Sequence, residues 1–104
     1  AAANLMLKVF INGKLQSYTP PAMLRAGTVY VPLRAGAQSL GLHVDWNAEL
    51  KAAQVCSDTG CVLIREQEGI NLNGSLLLPL RKMGEVTGAK FVWDGPRKSV
   101  FVKQ

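Results

Sequence analysis

The residues with the most reactive chemistry in this 104-residue chain stand near one another. Cys56 and Cys61 bracket Ser57-Asp58-Thr59-Gly60 in the run QVCSDTGCVLI, and the single histidine, His43, lies one short hairpin upstream. Alternating apolar strands on either side of a four-residue turn would put the two cysteines directly across from one another, with β-carbons about 4.5–5.5 Å apart. From there a disulfide needs only slight closure. Two cysteines with no thiol left over suit an oxidising compartment. A second chemistry competes for the same residues. The expected hairpin register pairs His43 with Gln54, which puts Cys56 two residues further along the same outward face. His43, Cys56 and Cys61, joined by Met23 or Met83, would then offer soft donors to Cu(I), or thiolate and imidazole to zinc. Redox chemistry there, such as superoxide dismutation, requires an open copper position beside these ligands. One C-x4-C and one histidine make a short signal, and methionines fill cores equally well. The structural disulfide is the favoured reading, with no cofactor; copper is the alternative.

Other catalytic readings find less support. Ser17, Ser39, Ser57, Ser75 and Ser99 share one histidine and form no nucleophile motif. Asp45 could orient His43, but it reads better as part of a surface salt link. The NGK and NGS tripeptides are turns rather than phosphate loops. No catalytic residue is assigned, and an enzyme here would have to work by copper-dependent redox chemistry.

The charge pattern narrows the partners. Twelve Lys and Arg against seven Asp and Glu give a net charge of +5, but the basic residues are scattered along the chain. Without a basic run or interleaved aromatics, nucleic acid is not an expected partner. A mildly basic surface suits solvent, with attraction to an anionic cell-wall polymer or lipid headgroup as the sharper option. At 48% hydrophobic and 18% charged, the chain is neither disordered nor membrane-spanning in composition. No apolar run approaches the ~18 residues needed to cross a bilayer. The start, AAANLML, reads as an N-terminal extension over residues 1–8, suited to a mature end or an expression remnant.

The elements that must position these residues are written twice. VPLRAGAQSLGLHVDW, Val31 to Trp46, is echoed by LPLRKMGEVTGAKFVW, Leu78 to Trp93, at a shift of 47 residues. In each copy an apolar strand (Val29–Val31; Leu76–Leu78) runs into a proline, Pro32 or Pro79, that suits a strand end or a first helical turn. A short helix follows, Leu33 to Leu40 or Leu80 to Thr87, with Leu33, Ala37 and Leu40 on one face. Gly41 and Gly88 stand where a left-handed helix stop is needed. The period then changes to two: Leu42, Val44 and Trp46 alternate with His43 and Asp45, and Phe91 and Trp93 recur in the second copy. A turn and a return strand close each hairpin, with Val44 expected opposite Ala53 and Phe91 opposite Val100. Leading strands at Val9–Ile11 and Val62–Ile64 complete the halves, about 9–56 and 61–104. The expected fold is one α+β domain over residues 9–104, an antiparallel sheet wrapped around two short helices.

Residues repeated at equivalent positions read as scaffold. Arg34 and Arg81, at strand-to-helix junctions, are expected to make structural hydrogen bonds. Trp46 and Trp93 are expected to cover a core edge. With Pro32, Pro79, Gly41 and Gly88 they form the structural motif of the repeat.

The first copy, with Pro20-Pro21, Gly27-Thr28, Val31-Pro32-Leu33-Arg34, Leu40-Gly41, Val44 and Trp46, resembles the copper amine oxidase N-terminal-like, or stalk, domain. The resemblance covers Val9 to Val102; the second copy departs from it at Lys82-Met83-Gly84 and Thr87. It implies a small sheet around helix, appended to other modules in secreted or envelope proteins of bacteria. In that family the catalytic copper and quinone lie in a different domain, so amine oxidation is not implied. The resulting expectation is a non-catalytic extracytoplasmic module, secreted, periplasmic or wall-associated. It would bind an envelope protein or cell-wall polymer, or act as a spacer, and a homodimer through a sheet edge is a further option. The alternative is a small extracytoplasmic copper protein.

Overall fold

Alternating apolar residues on both sides of Asn12-Gly13 make the first hairpin, β1 (Lys8–Ile11) and β2 (Lys14–Gln16). The computed structural model describes residues 7–104. A second hairpin, β3 (Met23–Arg25) and β4 (Thr28–Pro32), leads straight into α1 (Leu33–Ser39). Next come β5 (His43–Asn47), β6 (Ala52–Cys56) and β7 (Cys61–Arg65), then a 3-10 turn over Glu66–Glu68. A further hairpin, β8 (Ile70–Leu72) and β9 (Ser75–Pro79), enters α2 (Leu80–Gly84) and a second 3-10 turn, Glu85–Thr87. The chain closes with β10 (Lys90–Asp94) and β11 (Ser99–Lys103). The tight turns Asn12-Gly13, Ala26-Gly27 and Asn73-Gly74 have φ between 50° and 87° at both positions, the geometry that matches strand twist. Gly41 and Gly88, at φ 74° and 70°, stop the two helical segments.

The fold is α+β, and its strands form three sheets rather than one continuous sheet. Their orders are β10–β11–β1–β2, β3–β4–β9–β8 and β5–β6–β7. The sheets are antiparallel apart from the β1–β11 pair, which is parallel and sets the first strand beside the last. Leu7 packs against the core and β1 begins at Lys8, so these two residues belong to the domain and not to an extension. Residues 1–6, the rest of that stretch, lie outside the described residues.

Hairpin registers differ from the expected ones by two residues. Val44 pairs with Val55 and Phe91 with Val102, while His43 pairs with Cys56 rather than Gln54. The reason is turn length. Both hairpins close around four residues, 48–51 and 95–98, whose last member takes a positive φ: 50° at Lys51 and 46° at Lys98. A two-residue shift preserves which side chains face inward, because strands have period two.

The helices are shorter than expected, since α2 tightens into a 3-10 turn at Glu85. They pack on β4 and β9 and bury Ala37, Leu40, Leu80 and Met83 against Val31, Val55, Ile64 and Leu78. Burying a side chain of the Leu or Ile class contributes about 1.5–3 kcal/mol. Gly36 lets α1 approach β4 and α2 closely: a β-carbon there would stand 2.5 Å from Val31 Cγ2 and 3.0 Å from Met83 Cε. The Tyr18 hydroxyl ties the loop before β3 to α1, lying 2.9 Å from Ser39 Oγ, which in turn donates to the Gly36 carbonyl at 2.7 Å. Burial raises the Tyr18 pKa, and the Ser39 bond opposes that shift.

Candidate functional site

Cys56 ends β6 and Cys61 begins β7, as direct register partners with α-carbons 4.0 Å apart, and they form a disulfide. His43 occupies the next position in the same row, across from Cys56, on an exposed stretch of β5. The remaining candidate ligands are elsewhere. Met83 is fully buried in the core beside Gly36, and Met23 lies on β3 in a different sheet.

The repeated arginines and tryptophans take positions that sequence reasoning did not anticipate. Among the described residues neither Arg34 nor Arg81 makes a side-chain hydrogen bond or an ion pair, so the expected structural bonding role is not theirs. Both are exposed at a helix start. Trp46 and Trp93 do follow the inward-facing series of their strands, yet they remain 41% and 42% exposed. Each pairs across its hairpin with a small or branched residue, Ala53 or Val100, that leaves the ring proud of the sheet.

These residues line two clefts. The larger, about 520 Å³, lies where β10 and the start of α2 meet β3 and β4. Its walls include Leu24, Val29, Tyr30, Arg81, Phe91 and Trp93. The Arg81 guanidinium carbon sits 5.1 Å from the Phe91 ring centre, close enough for the ring face to attract the cation. At the rim, Lys82 Nζ donates to Glu68 Oε1 at 2.6 Å, and the Arg65 backbone N–H donates to Glu68 Oε2 at 2.8 Å. The Lys82 hydrogen bond, with the Arg65 amide second, holds the Glu68 carboxyl below its ordinary pKa. Glu68 in turn raises that of Lys82. The smaller cleft, about 280 Å³, is lined by Leu33, Arg34, Trp46, Glu66, Asn71 and Leu76.

Leu33, Arg34 and Trp46 precede Leu80, Arg81 and Trp93 by 47 residues each. The opposing walls show the same offset, with Leu24 and Val29 in one cleft and Asn71 and Leu76 in the other. In both, one stretch of the chain supplies the helix start and hairpin, and the other supplies the wall. The larger cleft alone has aromatic depth, from Tyr30 and Phe91. Its Leu24, Tyr30 and Phe91 lining and its Glu68–Lys82 pair were not legible as a site, because they come together only through packing.

Residues 10–68 match the family described as copper amine oxidase N-terminal domain, which is just over half of the chain. The chain belongs to this family. The match runs from β1 through the Glu66–Glu68 turn and so includes the first Arg–Trp motif and the disulfide hairpin. A protein of Brevibacillus choshinensis named as a protease inhibitor is 51% identical over 51 residues, which is 47% of this domain's chain and 15% of that protein. The chain therefore spans only a small part of that relative. No solved structure matches.

The family name raises the question of copper in this copper amine oxidase N-terminal domain. The donors do not fit it. Both thiolates are spent in the disulfide, Met83 is enclosed in the core, and no three His, Cys, Asp or Glu side chains converge on a metal position among the described residues. No helix in the described residues is long and apolar enough to cross a membrane.

Proposed function

We propose that this domain is a non-catalytic recognition module of an extracytoplasmic bacterial envelope protein. Its working surface is the larger cleft, which takes an apolar or aromatic side chain of a partner protein between Leu24, Phe91 and Trp93. Arg81 stands beside that side chain to meet an acidic neighbour. The observation that carries the reading is the exposed Trp93 next to an arginine with no hydrogen bond or ion pair among the described residues, on the rim of an aromatic-lined cleft. Buried anchors of this kind, with tryptophan and arginine prominent, dominate protein recognition. The cross-strand disulfide supports an oxidising location. The relative named as a protease inhibitor supports a protein partner over a cell-wall polymer, because the similar segment there accompanies a protein-directed name.

The test is a titration of the isotope-labelled domain with short peptides pairing Phe or Trp with Asp, and separately with muropeptides. Peptide-induced shifts at the Trp93 indole and the α2 start support the reading. Shifts with muropeptides alone would move the partner to the wall polymer, and no shifts with either would leave a spacer.

A further inference from the structure

A second surface lies away from both clefts. On the outward face of β10–β11–β1–β2, one row of register partners crosses all four strands: Val92, Phe101, Phe10 and Leu15. With strands ~4.8 Å apart the row is roughly 14 Å long. Val92 is 62% exposed, Leu15 55% and Phe101 37%. The Phe10 and Phe101 rings stack at 5.1 Å, 14° from parallel. Lysines frame the row. Alternation puts the partners Lys90 and Lys103 on the same face to one side, and Lys8, two residues before Phe10, to the other. Asp94, the acid that shares this face, lies 3.8 Å from Arg97. At the corresponding places in the β5–β6 hairpin stand Asp45 and Gln54, so this kind of hairpin does not require apolar residues there.

Shape and charge select the occupant. None of the molecule's main clefts is lined by any of the four residues. A protein partner binds chiefly through side chains that fill pockets, and a ridge without pockets gives it none. A second copy stacked on the same face would bring the three lysines against their own equivalents, which repels. A fluid anionic bilayer needs no pocket, accepts projecting apolar side chains, and attracts lysines to its headgroups. The net charge of +5 adds to that attraction. We propose that this face docks the domain on an anionic lipid surface, with Val92, Phe101 and Leu15 entering the headgroup boundary and Lys8, Lys90 and Lys103 on the phosphates.

Co-sedimentation with vesicles tests the proposal, using mixed phosphatidylglycerol–phosphatidylcholine against phosphatidylcholine alone. The expected result is binding to the mixed vesicles only, weakened by salt and lowered about fivefold by each Lys→Gln change in the frame. A Val92→Ser/Phe101→Ser variant, altered only at exposed positions, is expected to lose about tenfold, with circular dichroism reporting its fold. Should that variant unfold, Leu15→Ser with Lys103→Gln carries the same test. No binding to the mixed vesicles overturns the proposal. So does binding that the serine variants leave unchanged, which would reduce it to charge attraction shared with soluble polyphosphate. A dimer in light scattering that the serine variants abolish would assign the face to a second copy instead.

Discussion

Arg81 lies over the ring of Phe91, whereas Arg34, its counterpart 47 residues earlier, has Val44 at the position matching Phe91. Two arginines written into the same motif thus stand in different surroundings. Only the second has an aromatic face beneath it, and only the second borders the larger cleft. Residues 47 positions apart line both clefts, and the larger one adds Tyr30 and Phe91.

Arg81→Ala is expected to cost about 0.5–1 kcal/mol of stability, the worth of an exposed cation–π contact. Arg34→Ala should be close to neutral in the same urea titration. Equal losses would mean that the Phe91 contact contributes nothing.

Opening the disulfide should destabilise the domain modestly. The loop between Cys56 and Cys61 is short, and in the chain-entropy model its closure stabilises by about 2 kcal/mol. Denaturation with and without a reductant, and of the Cys56→Ser/Cys61→Ser double variant, should show the same drop. The fold should survive it, because neither cysteine belongs to the buried core.

Ala26 holds a φ of 50° in the turn where Asn12 and Asn73 occupy the corresponding places of their own turns. An alanine pays for a left-handed conformation that asparagine tolerates better. Ala26→Asn should therefore raise stability by about 0.5–1 kcal/mol, visible as a higher urea midpoint with an unchanged slope. A drop would contradict the turn geometry.

The Glu68–Lys82 pair makes stability depend on pH with a definite sign. Lys82 and the Arg65 amide depress the Glu68 pKa, so its contribution is fully present above the ordinary glutamate range and is lost as pH falls through the lowered value. Lys82, raised by Glu68, loses its share only in strong alkali. Glu68→Gln should thus be slightly less stable than the parent at neutral pH. The two curves should converge once pH has fallen below the lowered Glu68 value, and salt should narrow the gap. A gap that persists at low pH would mean that the glutamine disturbs packing instead.

The scaffold was largely legible because its signals are local. Pro32 and Pro79 at helix starts, Gly41 and Gly88 at helix stops, and period-two runs into Trp46 and Trp93 each act within a few residues. Likewise Cys56 and Cys61 needed only a four-residue turn to meet. What escaped depends on non-local partners. The two-residue register error arose because positive φ at Lys51 and Lys98 leaves no mark in residue type. The parallel β1–β11 pair joins residues from opposite ends of the chain. The surroundings of Arg81 and Trp93 require Leu24 and Tyr30, which arrive from the other half of the sequence. Repetition suggested scaffold for every repeated residue. Pro32, Pro79, Gly41 and Gly88 stand at element boundaries, whereas Arg34, Arg81, Trp46 and Trp93 line the clefts.

The central claim is that the Trp93 cleft receives a partner's side chain, and one comparison tests it most directly. The affinity of the best peptide from the Phe/Trp–Asp panel would be measured by calorimetry for the parent, Trp93→Ala and Trp46→Ala. The account predicts a loss of more than about tenfold for Trp93→Ala, as for an interface anchor, and little change for Trp46→Ala. Equal affinity in the parent and Trp93→Ala would contradict it.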